Sequence, residues 1–257
     1  MESPESECNK SDEVGGGGRR PFTLAVEGNI GSGKSTMLNC FQAFTDVQLS
    51  PEPIDQWCDL KGHNLLELLY KDPKRWSFQF QSYVQLTRLQ LIREKTHARV
   101  RILERSLQNN RYCFLELARK VGSLSEEELA VLHAWHEWLD SSMNLNLDLI
   151  VYLKTHPDVA YKRMMARNRS EESSAKLQYL TYLHESYEDW LISQKFGDLD
   201  TPVLVFDANF DLAEMNLRYH EAADIIRGFK RLPKKINYFP ECLQEFEDKE
   251  NIANSML

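Results

Sequence analysis

The stretch VEGNIGSGKST, which begins at Val26, constrains the fold of this chain more than any other feature. Its residues 28–35 match the pattern GxxxxGK[ST], whose glycines let backbone N–H groups turn toward phosphate oxygens. The lysine of the pattern reaches the terminal phosphates of a nucleotide, and the hydroxyl residue after it ligates Mg²⁺. An apolar run precedes the loop and a helical pattern follows it, as such a loop requires. We therefore predict a nucleotide site formed by Gly28, Asn29, Ile30, Gly31, Ser32, Gly33, Lys34, Ser35 and Thr36.

Five short apolar runs alternate with longer helical patterns and predict the architecture. They are rich in Val, Ile and Leu, as strands buried on both faces are, and they span Phe22–Gly28, Val47–Pro53, Arg99–Ser106, Leu147–Lys154 and Thr201–Ala208. Ser125, followed three residues later by Glu128, predicts a capping box that opens one intervening helix. This alternation favours crossover connections. We predict an α/β domain with a five-stranded parallel sheet flanked by helices on both faces.

The composition excludes several classes of protein. No run approaches the ~18 apolar residues that cross a membrane, and a net charge of −8 gives no reason to expect a nucleic-acid partner. The five cysteines are scattered, without a CxxC pair, which argues against a disulfide framework and a zinc site. The acidic N-terminus resembles neither a signal peptide nor a transit peptide. We expect a cytoplasmic protein, and the basic run KRLPKK at Lys230–Lys235 leaves the nucleus as an alternative.

The two ends of the chain differ from its middle. An acidic, polar segment leads into GGGG at Gly15–Gly18, which is typical of a flexible joint. The other end is acidic and weakly patterned. We predict a disordered arm over residues 1–20, a folded domain over 21–237 and an acidic tail over 238–257.

Two predicted strands end in acidic residues, and these indicate what receives the phosphate. Ligands of parallel α/β sheets bind beyond the carboxyl ends of the strands, where Glu52 follows the second strand and Glu104 and Arg105 end the third. A carboxylate there can bind the metal or accept a proton from an attacking hydroxyl. Arg105 can neutralise charge that develops on the transferred phosphoryl group. The pattern favours phosphoryl transfer over nucleotide binding alone.

A basic cluster closes the helix that begins near Thr155. Arg163 and Arg167 are four residues apart and share one face, and Arg169 follows them. Two interpretations stay open: cations that stabilise the C-terminus of a helix, and a lid whose arginines close over the phosphates and exclude water.

Aromatic residues crowd the segment between Trp57 and Phe114, which also contains Gln81. Core packing explains most aromatic enrichment. Rings on either side of an amide also suit a flat heterocycle, which the rings stack on and the amide hydrogen-bonds.

These motifs, in their order and spacing, resemble those of the deoxyribonucleoside kinases, in particular the insect multisubstrate branch related to mitochondrial thymidine kinase. The resemblance runs from about Pro21 to Ala208 through VEGNIGSGKST, the PEP around Glu52, LLYKDPKRWSFQFQSYV, ILERS, RYCF and RNRSEES. It implies a P-loop kinase fold, a homodimer built through helix packing, and phosphorylation of deoxyribonucleosides at the 5′-hydroxyl by ATP and Mg²⁺ for nucleotide salvage.

The same resemblance implies a role for individual residues. Glu52 would be the base that activates the 5′-hydroxyl and Glu104 a carboxylate beside Ser35 at the metal, although which glutamate is the base stays open. Tyr70 and Glu172 would hold the 3′-hydroxyl. The implied lid arginines are Arg163, Arg167 and Arg169, and the other implied substrate contacts are Trp57, Phe80, Gln81, Val84, Arg88, Arg105, Asn110 and Phe114.

Arg88 and Asn110 depart from the pyrimidine-preferring relatives, which have apolar residues at these positions. Arg and Asn donors can meet the N7 and O6 acceptors of a purine, so we predict broad specificity with better use of purines. Because a buried arginine without a partner is costly, Arg88 should contact a base or a carboxylate unless it points to solvent.

Two other functions stay open. A kinase of nucleotides or small metabolites would share the phosphate loop but would need basic residues on the acceptor side. A P-loop switch would turn over slowly and respond to a partner protein, and the carboxylates of Glu52 and Glu104 count against it. His133 and His136 lack further metal ligands at useful spacing, and we interpret them as surface residues.

Overall fold

The structure is a computed structural model that describes residues 20–244 and 246 of the 257-residue chain. The predicted arm, apart from Arg20, and most of the predicted tail lie outside the described residues. None of the helices in the described part of the chain is long and apolar enough to cross a membrane.

A parallel sheet forms the centre of the molecule, in the order β2-β3-β1-β4-β5-β6. Its strands are β1 (Phe22–Gly28), β2 (Val47–Ser50), β3 (Val100–Glu104), β4 (Leu149–Lys154), β5 (Val203–Asp207) and β6 (Ile236–Phe239). The α/β class and the five predicted strands are confirmed, and the described residues contain a sixth strand. The missed strand, β6, does not form an apolar run, because one of its buried residues is the polar Asn237 and its Tyr238 is exposed. It crosses the predicted boundary between residues 237 and 238.

Helices cover both faces of the sheet. They are α1 (Lys34–Cys40), α2 (Ile54–Cys58), α3 (Leu65–Lys71), α4 (Pro73–Arg93), α5 (Leu107–Asn109), α6 (Leu115–Lys120), α7 (Glu126–Ser142), α8 (Pro157–Arg167), α9 (Leu177–Tyr187), α10 (Leu212–Glu221) and α11 (Ala223–Ile226). The predicted capping box of α7 is confirmed, because the Ser125 hydroxyl accepts from the Glu128 N–H and the Glu128 carboxylate from the Ser125 N–H.

Three segments of the described part of the chain depart from regular α-helix. A π-helical turn at Asn110–Phe114 joins α5 to α6, another at Glu188–Ile192 follows α9, and a 3₁₀ turn at Ser170–Ser174 lies between α8 and α9. The first of these carries two of the residues implied as substrate contacts.

The two-residue period of the strands divides the core into two layers. Val151 and Leu153 of β4 pack with α1 and α10 on one face, whereas Ile150 and Tyr152 pack with α9 on the other. By the same alternation, Glu27 of β1 points toward the α9 face. Its buried carboxylate therefore needs polar partners there.

The strand order brings the predicted acidic residues to the phosphate loop. β3 lies between β2 and β1, so three neighbouring strands end at one edge of the sheet. Glu52 follows β2, Glu104 ends β3, and the phosphate loop follows β1.

Candidate active site

The phosphate loop is shaped by glycines that no other residue can replace without strain. Gly31 has φ of 79°, and a Cβ there would lie 2.3 Å from the carbonyl oxygen of Ala160 in α8. Gly28 has φ of 146°, and a Cβ there would lie 2.6 Å from Ser32 Oγ. The loop consequently packs directly against α8 and adopts a backbone that favours glycine.

Lys34 is buried at the first position of α1, and its Nζ donates to the carbonyl oxygen of Asn29 at 2.8 Å. Burial, assisted by the nearby charge of Arg105, lowers the pKa of Lys34 to about 7. An anion near this amine would restore its charge, which is the property expected of a phosphate-binding lysine.

Ser35 and Glu104 form the oxygen-donor pair next to the loop. Ser35 Oγ donates to Glu104 Oε1 at 2.9 Å, and Glu104 is buried. A hydroxyl and a carboxylate are the hard oxygen ligands that Mg²⁺ takes together with phosphate oxygens. Within residues 20–244 and 246, no group of three or more His, Cys, Asp or Glu side chains has the arrangement of a metal site.

Glu52 lies between two buried arginines. Arg88 Nη2 donates to Glu52 Oε1 at 2.8 Å, and Arg105 Nη1 donates to Glu52 Oε2. Burial alone would raise the pKa of the Glu52 carboxyl, but the charges of Arg105, Arg88 and Lys34 outweigh it and hold the pKa below its ordinary value. The carboxylate therefore stays ionised. The predicted contact of Arg88 with a carboxylate is therefore confirmed. The alternative, an Arg88 side chain that points to solvent, is wrong.

Further hydrogen bonds fix the two arginines. Arg105 donates to the Tyr187 hydroxyl at 3.1 Å and to the Gly28 carbonyl oxygen at 3.2 Å, and its backbone has φ of 61°. Arg88 donates to the Ser106 carbonyl oxygen at 3.0 Å and to Asn109 Oδ1 at 3.2 Å. A non-glycine residue at positive φ costs free energy and persists only where its surroundings hold it.

Glu27 completes this network from the strand. Its carboxylate accepts from the Ser106 N–H at 2.8 Å, from the Ser106 hydroxyl at 2.7 Å and from the Tyr187 hydroxyl at 3.4 Å. Complete burial raises its pKa, against the opposing effect of these hydrogen bonds. Glu27 and Tyr187 could not be predicted from the sequence, because they are 160 positions apart and no local pattern connects them.

One cavity of about 590 Å³ connects the phosphate loop, the two arginines and the aromatic residues. At its aromatic end the rings of Trp57 and Phe80 meet edge to face at 5.6 Å, and Trp57 Nε1 donates to Thr87 Oγ1 at 2.9 Å. Phe114 also lines this end, next to Arg105. The predicted residues that line the cavity are Glu52, Trp57, Tyr70, Phe80, Gln81, Val84, Arg88, Glu104, Arg105, Phe114, Arg163, Arg167, Arg169 and Glu172, together with residues 30–36.

Asn110 is the one predicted substrate contact that does not line this cavity. It is fully buried behind Gln81, and its Nδ2 donates to Gln81 Oε1 at 2.6 Å. Any effect of Asn110 on a ligand in the cavity therefore passes through Gln81.

The basic cluster is paired with Glu172. Arg167 Nη2 donates to both carboxylate oxygens of Glu172, at 2.8 and 2.6 Å, and Arg169 Nη1 donates to Oε1 at 2.7 Å. Arg163 is held differently, because it donates to the carbonyl oxygens of Ala208 and Phe210, at 2.7 and 2.6 Å. The predicted lid thus has two arginines bound to Glu172, which lies on the 3₁₀ turn, and a third bound to the loop after β5.

Comparison with known proteins agrees with this geometry. A family model described as deoxynucleoside kinase matches residues 24–231. The chain belongs to the deoxynucleoside kinase family. Mitochondrial thymidine kinase 2 of Homo sapiens is 39% identical to it over 203 residues, which cover 79% of this chain and 77% of the relative. Deoxycytidine kinase 2 of Gallus gallus is 34% identical and covers 82% and 91%, and the deoxycytidine kinase of Mus musculus is 32% identical and covers 83% and 94%.

The cavity of this deoxynucleoside kinase extends further than the sequence analysis predicted. Beyond the phosphate loop it is lined by five residues at the carboxyl end of β5 and on α10: Phe210, Asp211, Leu212, Met215 and Tyr219. The rule that ligands bind beyond the carboxyl ends of parallel strands applies to β5 as well. That rule would have identified them.

The two histidines of α7 are corrected from surface residues to packed ones. His136 is buried, and the Nε2 atoms of both His133 and His136 are buried without a hydrogen-bond partner among the described residues. Burial lowers the pKa of each. Both are accordingly neutral near pH 7.

Proposed function

We propose that this kinase transfers the γ-phosphoryl group of ATP to the 5′-hydroxyl of deoxyribonucleosides and so supplies monophosphates for nucleotide salvage. The observation that carries the proposal is the position of Glu52. Its ionised carboxylate lies in one cavity between a phosphate loop and an aromatic, amide-bearing end that suits a nucleobase. Both substrates of the proposed reaction would thus bind beside the carboxylate of Glu52.

In this proposal Glu52, and not Glu104, is the general base. Glu104 already accepts from Ser35 beside the loop, whereas Glu52 is held by arginines on the acceptor side. The 5′-hydroxyl oxygen forms a bond to the γ-phosphorus as its proton passes to Glu52, and the bond to the bridging oxygen breaks to release ADP. Arg105 and Lys34 stabilise the charge on the phosphoryl oxygens. Ser35 and Glu104 would hold Mg²⁺, which neutralises part of the charge of the β- and γ-phosphates.

We assign the other cavity-lining residues their roles according to their positions along the cavity. Tyr70 and Glu172 hold the 3′-hydroxyl, the rings of Trp57, Phe80 and Phe114 enclose the base beside Val84, and Gln81 hydrogen-bonds it. The adenine of ATP occupies the opposite end. The apolar residues at that end, Phe210, Leu212 and Met215, support this direction.

We include purine deoxynucleosides among the substrates. Arg88 lines the cavity, and its buried Nε–H has no hydrogen-bond partner among the described residues. A purine supplies N7 and O6 acceptors that arginine binds well. Arg88 would then serve both Glu52 and the base.

The decisive experiment measures ADP release from MgATP with thymidine, deoxycytidine, deoxyadenosine and deoxyguanosine. Cytidine is the control for the sugar, and deoxycytidine monophosphate tests the alternative of a nucleotide kinase. We expect turnover with several deoxynucleosides, weak turnover with cytidine and none with the monophosphate. An absence of ADP release with all four deoxynucleosides, or faster turnover of the monophosphate than of the deoxynucleosides, would refute the proposal.

We also propose that the enzyme is a homodimer built on α4 and α7. Leu86 of α4 and Val131, Trp135 and Trp138 of α7 are large apolar residues that stay exposed on these two packed helices. Apolar patches of this kind mark interfaces. Light scattering should give the mass of a dimer for the wild type and of a monomer for Trp135→Glu. Leu217→Glu, on exposed α10, is the matched control and should leave the dimer intact.

For the compartment, we propose the cytosol, on the strength of the scattered cysteines, which suit a reducing compartment. The thymidine kinase 2 of Homo sapiens carries the word mitochondrial in its name, so the alternative is concrete. Imaging the full chain with a C-terminal fluorescent tag, against cytosolic, nuclear and mitochondrial markers, separates the three locations.

A further inference from the structure

Three buried side-chain amides form a chain that ends at the cavity. Gln85 Nε2 donates to Asn110 Oδ1 at 2.8 Å, and Asn110 Nδ2 donates to Gln81 Oε1 at 2.6 Å. All three residues are buried, and of the three only Gln81 lines the cavity. We call Gln81, Asn110 and Gln85 the amide relay.

An amide relay has two directions that are almost equal in free energy. The two ends of an amide have nearly the same shape, but one end donates and the other accepts. Turning all three amides over preserves both internal hydrogen bonds with donor and acceptor exchanged. Turning only one sets two donors or two acceptors against each other in a buried place, which is costly.

The far end of the amide relay imposes little preference. Gln85 Nε2 also donates to the carbonyl oxygen of Leu132, but at 3.5 Å this contact lies at the limit of a hydrogen bond. Asn110, the middle residue, makes both of the short hydrogen bonds within the amide relay. Asn110 begins the π-helical turn that joins α5 to α6, a feature often found at functional sites.

The direction of the amide relay decides which group Gln81 turns toward a base. Thymine and guanine present a carbonyl oxygen beside a ring N–H, whereas cytosine and adenine present an amino group beside an unprotonated ring nitrogen. One amide can pair with both classes only by turning over. Resting on the proposed base-reading role of Gln81, we propose that Asn110 and Gln85 are positioning residues whose concerted reversal lets the kinase accept both keto and amino bases.

The test replaces members of the amide relay with groups that can only accept. In Asn110→Asp the new carboxylate needs a donor from Gln81. In Gln85→Glu the carboxylate draws the Asn110 amide N–H toward itself, which turns Asn110 Oδ1 toward Gln81. Both variants therefore fix the same direction, opposite to that in the structure. Gln85→Met, similar in shape but without polar atoms, is the control that removes the far partner and fixes neither direction.

The measurement is kcat/KM for the four deoxynucleosides at pH 8, with melting temperatures to verify folding. Wild type should use keto and amino bases within about a hundredfold of each other. In Asn110→Asp and Gln85→Glu the ratio of keto to amino substrates should shift by about tenfold to a hundredfold, in the same direction for both. Gln85→Met should stay within about threefold of the wild-type ratio.

The outcomes separate the relay from the reaction on which it rests. If the wild type is active but the variants change all four substrates by one factor, sort them by purine and pyrimidine, or shift the ratio in opposite directions, the relay is refuted. A silent wild type refutes the proposed function and with it the reading of bases by Gln81. Should Asn110→Asp fail to fold, Gln85→Glu, whose side chain lies outside the cavity, decides the matter alone.

Discussion

Two glutamates of this kinase each contact two arginines, and the two clusters differ in burial. The inner cluster is Glu52 with Arg88 and Arg105, whose side chains are 7%, 4% and 5% exposed. The outer cluster is Glu172 with Arg167 and Arg169, and here the carboxylate is 6% exposed but the arginines are 39% and 28% exposed. The same ion pairs therefore occur once among buried side chains and once with arginines that are partly exposed.

The difference in burial indicates which part of the site is rigid and which can move. The inner arginines are held by Tyr187, by Asn109 and by four backbone or carboxylate oxygens besides. Of the outer arginines, Arg167 ends α8 and Arg169 directly precedes the 3₁₀ turn. Breaking a buried pair commonly costs about 3–5 kcal/mol, whereas an exposed pair contributes about 0–1 kcal/mol. We propose that the inner cluster is fixed and that the ion pairs of the outer cluster rearrange at less cost.

Glu52→Gln should have the largest effect, because it removes both the proposed general base and the charge between two buried arginines. We expect kcat to fall by about 10²–10⁴-fold, and the free energy of unfolding to fall by roughly 3 kcal/mol. Kinetics with deoxycytidine and thermal unfolding measure the two effects. The matched change in the outer cluster, Glu172→Gln, should leave the melting temperature within about 2 °C of the wild type. Equal stability losses would contradict the division into inner and outer clusters.

Arg88→Met should have the next largest effect, because Arg105 still holds Glu52. We expect kcat/KM to fall about tenfold to a hundredfold for all four deoxynucleosides, with a larger loss for purines. The charge of Arg88 helps to hold the pKa of Glu52 below its ordinary value, so its removal raises that pKa. The acidic limb of the pH–rate profile should therefore move to higher pH. If purines were unaffected relative to thymidine, the role of Arg88 in purine binding would be wrong.

Arg167→Gln probes the outer cluster and should change kinetics without changing stability. We expect kcat/KM for MgATP to fall by about tenfold to a hundredfold, through the loss of a cation near the phosphates. The melting temperature should stay within about 2 °C, since the ion pair is partly exposed. Lys162→Gln, an exposed position on the same helix, is the control and should match the wild type in both measurements. A large fall in melting temperature would show that the lid is as firmly built as the inner cluster.

The inner and outer clusters also show which parts of the site could be predicted from the sequence. Local patterns were sufficient for the phosphate loop, for strands β1 to β5 and for the placement of Glu52 and Arg105, because strand ends converge wherever a parallel sheet forms. The resemblance to the family supplied Gln81 and Glu172.

What the sequence could not supply are partners brought together only by the tertiary structure. Glu27 looks like one polar residue in an apolar strand, and its contact with Tyr187 depends on where α9 packs. Asn110 looks like a direct base contact until the structure places it behind Gln81. The edge strand β6 is likewise hard to predict, because one of its buried residues is the polar Asn237.

The smallest expected effect concerns Lys34, which lies in the field of both clusters. Burial, followed by the charge of Arg105, lowers its pKa to about 7, and Arg167 acts in the same direction with less weight. At pH 8 the Lys34 amine is therefore neutral in most of the free enzyme. A bound nucleotide raises the pKa of this amine, so binding should be accompanied by the uptake of about one proton from solution. At pH 6 the amine is already charged and uptake should vanish, so affinity falls as the pH rises through about 7.

Calorimetry with ADP in two buffers of different ionisation enthalpy measures this proton uptake. Lys34→Arg, which stays charged at both pH values, is the control and should show none. Uptake that persists in Lys34→Arg would assign the proton to another group. Because Arg105 outweighs Arg167 in its effect on the pKa of Lys34, Arg167→Gln should leave the uptake almost unchanged. The state of the phosphate-binding lysine would then be set by the inner cluster, whether the lid is open or closed.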